Sequence, residues 1–115
     1  YEAQLTEEHV VKAITQQLWL NNVKVWRIVE RIPWGRKTST PGIPDLIGYA
    51  IEGSRFPDIP PCPVFIEVKK PGGRRRPAQE AFIAEVKANG AIACIAESWE
   101  DVVAEFNRRG FSLKI

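Results

Sequence analysis

Asp45 and Glu67 are carboxylates 22 residues apart, each set in an apolar run, and Lys69 follows Glu67 by two positions. Val64-Phe65-Ile66-Glu67-Val68 is strongly β-prone, and in a strand residues 67 and 69 project from one face, which sets a carboxylate beside an ammonium. Asp45, within Ile43-Pro44-Asp45-Leu46-Ile47, supplies a second carboxylate if the two strands are neighbours. The set suits metal-assisted hydrolysis of a phosphodiester. Mg²⁺ prefers hard oxygen ligands, keeps several waters and needs only one or two carboxylates besides substrate phosphate. Asp45 and Glu67 therefore suffice as its core, with the backbone carbonyl of Val68 as a further ligand. A cation so held acidifies water and neutralises phosphate charge, while Lys69 would position the water or stabilise the transition state.

The same residues have a plainer reading, in which Glu67 and Lys69 are the solvated face of an edge strand and Asp45 is a turn residue after Pro44. Context argues for the chemical one. Phe65, Ile66 and Val68 around Glu67, and Leu46, Ile47 and Tyr49 after Asp45, mark both segments as core strands. A carboxylate buried there needs a partner or a metal.

The elements that must position these groups read in the order αβββαβα. A first helix runs from Thr6 to Leu20 and ends at Asn21-Asn22; Val23 to Ile32 is a strand with Val23, Val25 and, third in that row, Arg27 on one face and Lys24, Trp26 and Ile28 on the other. Residues 33–41 form a loop, Ile43 to Glu52 a second strand, and Gly53 to Pro63, rich in proline, a connection to the strand of Glu67. Pro71-Gly72-Gly73 stops that strand. Pro77 suits the first turn of a second helix that carries Phe82 and Val86 inward and ends at Asn89-Gly90. Ala91 to Ala96 is a buried strand, Ser98 caps a last helix with Asp101 at the capping-box position, Gly110 closes it, and Phe111 to Ile115 adds a short edge strand. The fold class is α/β, a mixed central sheet flanked by helices.

Positive charge gathers beside the proposed site. Lys69, Lys70, Arg74, Arg75 and Arg76 place five cations within eight residues, and Arg36 and Lys37 lie in the loop before Gly42. These loops are suited to phosphate contacts that weaken with salt, the alternative being solvated loops that only keep the chain soluble. Trp34 is either a stacking platform for an unpaired base or a packing residue.

With 115 residues the chain can bury one core but not two, so residues 1–115 are read as a single domain. The net charge of +2 is too mild to name a partner by itself. Cys62 and Cys94 are too few and too distant for a cysteine metal cluster, and His9 cannot complete one. No signal peptide and no membrane span is legible, so an intracellular, cytoplasmic chain without membrane contact is expected.

Gly42-Ile43-Pro44-Asp45-Leu46-Ile47-Gly48, then Phe65-Ile66-Glu67-Val68-Lys69-Lys70-Pro71-Gly72-Gly73, then Pro77-Ala78-Gln79-Glu80-Ala81-Phe82, in this order, resemble the VRR-NUC family of the PD-(D/E)XK nuclease superfamily. The resemblance covers nearly the whole chain and is carried by the composite of three motifs, since Asp…Glu-x-Lys alone is weak. It implies a restriction-endonuclease-like fold in a stand-alone bacterial or phage form. It also implies Mg²⁺- or Mn²⁺-dependent cleavage of DNA, branched or flap-like in relatives, with Asp45 and Glu67 as ligands, Lys69 catalytic and Gln79 near the site.

Such a fold is expected to add an acidic residue from its first helix. Val11, Ile14 and Leu18 form an apolar stripe that Glu7 continues. Glu7 is therefore expected to point inward and Glu8 toward Lys12 and solvent, although a shift of one residue in the helix start would exchange them. Both also suit the positive end of a helix capped by Thr6 or a neighbour. Two functions stay open: a structure-selective endonuclease acting on four-way junctions or flaps, and a non-catalytic nucleic-acid-binding module. Symmetric cutting of a junction would call for a C2 homodimer, and action on flaps for a monomer.

Overall fold

The computed structural model describes residues 6–28, 43–51 and 61–113. Its elements are α1 (Glu7–Leu20), β1 (Val23–Arg27), β2 (Leu46–Ala50), β3 (Cys62–Val68), α2 (Pro77–Ala88), β4 (Ile92–Ala96) and α3 (Trp99–Arg108). The sheet runs β1-β2-β3-β4, antiparallel across the first two pairings and parallel between β3 and β4. This is the expected mixed α/β order, and it is compatible with a PD-(D/E)XK-like nuclease fold.

Alternation along the strands sends Val23, Val25, Leu46, Val64, Ile66 and Val68 to one face, all buried. They meet Val11, Ile14 and Leu18 of α1 and Val102 and Phe106 of α3 in one apolar cluster. The opposite face is shared unequally. α2 lies over its β3–β4 half, where Phe82 packs edge-on against Phe65 at 5.6 Å. Glu105 on α3 ties the two helical layers together, with Lys87 of α2 at 3.1 Å and Arg108 at 2.7 Å.

Local signals fix the element ends. Thr6 caps α1 by accepting from the His9 N–H, and Ser98 caps α3 by accepting from the Asp101 N–H. Asn22, at φ 61°, makes the turn into β1, and Gly90, at φ 99°, follows the Asn89 cap of α2. Gly48 has a different role. A Cβ there would fall 1.8 Å from the Lys24 carbonyl oxygen and 2.6 Å from the Val25 Cα, so β1 and β2 can approach this closely only at a glycine.

Several expected boundaries move. β2 starts at Leu46, not Ile43, because Pro44 lacks a donor and Asp45 turns the chain, so Asp45 stands at the strand entrance and not within it. β1 ends at Arg27, with the Ile28 N–H still donating to the Asp45 carbonyl at 2.8 Å. Pro63 lies inside β3, where it is tolerated because β4 pairs only from Val64 onward. Ile83 is the fully buried residue of α2, while Phe82, against Phe65, and Val86, expected inward, are half-buried. Asp101 accepts from the Glu97 N–H at 2.9 Å and not from that of Ser98, a capping box shifted by one residue. Residues 111–113 form no strand. Phe111 and Leu113 instead pack on the core, Phe111 edge-on to Phe106 at 6.1 Å. Residues 29–42, with Trp34, Arg36 and Lys37, and the remaining expected ends at Glu52 and Ile115 lie outside the described residues.

Candidate active site

Asp45 enters β2 opposite the end of β3 that carries Glu67, since Leu46 pairs with Ile66. Its carboxylate is fixed from the neighbouring strand: Oδ2 accepts from the Val68 N–H at 2.9 Å. α1 aims its first turn at the same end of the sheet. Ligand atoms of Glu7, Asp45 and Glu67 all come within 4.8 Å of one another, and among the described residues this is the one such cluster of potential ligands. Glu7, not Glu8, is the α1 residue that reaches this cluster, but it is exposed and does not point into the core as the apolar stripe led one to expect. Glu8, expected beside Lys12, forms an ion pair with Arg27 on β1.

Glu67 is only 3% exposed. Its Oε1 accepts from Gln79 Nε2 at 3.2 Å and lies 3.7 Å from Lys69 Nζ, but its Oε2 is buried without a hydrogen-bond partner. Burial pushes its carboxyl up to about 8, the adjacent Asp45 carboxylate pushes in the same direction, and Lys69 opposes them. A buried carboxylate oxygen with no protein partner, facing two further carboxylates, is what a site for a hard divalent cation requires. The donor set is all oxygen and holds no cysteine or histidine, which suits that class of ion. Burial drives the Cys94 thiol in the opposite direction from metal binding, up to about 12.

Lys69 is itself 8% exposed and follows β3 directly, its N–H bonded to the Ala96 carbonyl at 2.9 Å. Gln79 is held at both ends of its amide: Oε1 accepts from the Arg76 N–H at 3.2 Å while Nε2 reaches Glu67. One side chain thus ties the start of α2 to the acidic cluster. The basic segment leads out of the site through a turn. Gly72 adopts φ 75°, the Gly73 N–H returns to the Lys70 carbonyl at 2.8 Å, and the Gly72 N–H donates to Glu97 Oε1 at 3.2 Å. Lys70, Arg74, Arg75 and Arg76 are all exposed. Arg75 lines a depression with Glu80, Lys87 and Cys94, on the far side of α2 from the carboxylates.

Arg27, expected only as a third position in the row of Val23 and Val25, lies beside the acidic cluster. It pairs with Glu8 at the rim of the cluster, where Asp45 and Glu7 add to the field that raises its pKa. Its position two places after Val25 on a short strand was the only available signal, and that signal pointed at the core.

One end of the mixed sheet thus presents three carboxylates, a buried lysine and a bridging glutamine, an arrangement compatible with a nuclease-type site. The chain belongs to the VRR-NUC domain family, whose family model matches residues 6–99. Neither the curated proteins nor the solved structures compared with it gave a match.

Proposed function

We propose that this protein is a Mg²⁺- or Mn²⁺-dependent endonuclease that hydrolyses phosphodiester bonds in DNA at branch points. The observation that carries the reading is the buried Glu67, one of whose oxygens has no hydrogen-bond partner, in a cluster where carboxylate oxygens of Glu7, Asp45 and Glu67 all lie within 4.8 Å of one another. Asp45 and Glu67 would hold the cation, with Glu7 and the Val68 carbonyl completing the protein's share. The ion would supply an acidified water and charge neutralisation at the phosphate.

The chain's own groups do the rest. Asp45, clamped to the Val68 N–H, keeps a fixed distance from Glu67. Gln79 holds one Glu67 oxygen and leaves the other without a hydrogen-bond partner. Lys69 presents an ammonium to the attacking water and to the charge that develops on phosphate, in a pocket where little solvent screens it. Lys70, Arg74, Arg75 and Arg76, together with Arg36 and Lys37, would contact flanking phosphates.

The test is cleavage of labelled duplex, single strand, 5′ flap, splayed arm and four-way junction in Mg²⁺, Mn²⁺ or EDTA. Metal-dependent cutting, strongest on a branched member, is expected. Binding to all five without cutting in either metal would leave a nucleic-acid-binding module and overturn the enzyme reading. If the junction is favoured, light scattering should give the mass of two chains, because symmetric cutting needs two sites; preference for flaps needs only one. Arg74→Ala should weaken binding to every substrate and lower the slope of log affinity against log salt by about one.

A further inference from the structure

α2 covers only part of its sheet face, and the half that it leaves open is aromatic. Trp26 is 50% exposed and Tyr49 36%, their ring centroids 5.9 Å apart, and Trp19 from the end of α1 meets Trp26 edge-on, also at 5.9 Å. The group is built and not frayed. Trp19 Nε1 donates to the Val25 carbonyl at 3.0 Å, and the Lys24 ammonium lies 4.2 Å from the centre of the Trp19 ring.

Register connects this patch to the acidic cluster. Trp26 pairs with Ile47, and Tyr49 with Lys24. Asp45 lies two residues before Ile47, and Glu67 two residues beyond the Phe65 that faces Ile47 from β3. Side chains at this spacing share a face, so the Trp26 row stands about 7 Å from the carboxylate row and the Tyr49–Lys24 row about 7 Å further along. Rings open on one side, repeated at about the step of an extended nucleotide and edged by a cation, match bases on their planes and phosphate at Lys24.

We infer that the Trp19–Trp26–Tyr49 face is a binding track for single-stranded DNA, which stacks two unpaired bases next to the scissile phosphate. The inference rests on the nuclease reading and deepens it: the preferred substrate has a single-stranded arm beside the cut. Trp26 and Tyr49 are the stacking platforms, and Lys24 is the phosphate contact.

The experiment measures anisotropy of a labelled single strand, splayed arm and duplex in EDTA, in the Glu67→Gln background, with Trp26→Ala, Tyr49→Ala and Lys24→Ala added separately. Each ring removed should weaken binding to the single strand and splayed arm about tenfold and to duplex less than twofold, with melting temperature retained. Lys24→Ala should flatten the salt dependence for the single strand. Trp26→Phe, which keeps a ring, should restore most of the affinity and separates stacking from loss of fold. Equal losses on all three DNAs, or none, would overturn the track. So would a two-chain mass in sedimentation that Trp26→Ala reduces to one chain, since the face would then be an interface between copies. Because the assay contains no metal, a chain that binds single strands through Trp26 yet never cuts would refute the catalytic reading and leave the track standing.

Discussion

In EDTA at pH 8, Glu67→Gln is expected to be more stable than the natural chain while cutting nothing in Mg²⁺. The reason is the cost of keeping Glu67 ionised. Its carboxyl titrates near 8 in the folded chain against 4.5 in the unfolded one, because burial and the Asp45 carboxylate both disfavour its charge. The folded state therefore binds more protons than the unfolded state between these values, and stability falls as pH rises through that window. Below about 4.5 the carboxyl is neutral in both states and the penalty vanishes; above 8 it is complete. After a discount for solvent at the mouth of the site, the penalty is about 2 kcal/mol. A neutral amide of the same shape avoids it. Urea melts of both proteins at pH 5 and pH 8 read the effect directly. The advantage of the variant should be about 2 kcal/mol at pH 8 and small at pH 5, and a difference that is absent at pH 8 or grows toward acid would contradict the burial argument. Added Mg²⁺ should stabilise the natural chain more than the variant, because ligation rewards the ionised carboxylate.

Lys69→Ala should lower the rate of cutting by about a thousandfold, the upper range for removal of one preorganised stabilising group. Lys69 sits 3.7 Å from Glu67 with its ammonium almost withdrawn from water, a position that makes it effective toward a developing phosphate charge. Single-turnover cleavage with saturating DNA separates this from binding, which should change less than twofold. Circular dichroism of the variant should match the natural chain. An unfolded Lys69→Ala would show that the lysine serves the fold, and the role assigned to it would fall.

The candidate site was legible in the sequence where local periodicity brought its residues together. Glu67 and Lys69 share a face because a strand alternates, and Glu7 extends the Val11–Ile14–Leu18 stripe by one helical step. The extent of burial was not legible. Whether Glu67 is deeply covered depends on α2 lying over β3, and only tertiary packing places Gln79 on its oxygen. Asp45 was expected within a strand because Ile43-Pro44 reads as apolar, yet a proline without a donor and an aspartate bound to Val68 end the ladder at Leu46. The terminal segment illustrates the opposite limit. Phe111 and Leu113 alternate as a strand would, but their apolar side chains are taken up by the core beside Phe106, and no partner strand is needed. The aromatic track was half visible. Trp26 was placed with Lys24 and Ile28 on the face opposite Val23 and Val25, but its meeting with Trp19 and Tyr49 requires the turn at Asn22 and the β1–β2 register.

Gly48 gives the molecule a weak point that no inspection of its acidic residues would disclose. A methyl group at that position has nowhere to go, so Gly48→Ala must push β1 away from β2. β1 also bears Trp26 of the open face, and it leads directly into Ile28, whose amide secures the Asp45 carbonyl. Displacement would thus travel to the acidic cluster and the aromatic face at once. A chain could keep Glu7, Asp45, Glu67 and Lys69 intact and still be silent, inactivated by one carbon atom in the seam between two strands.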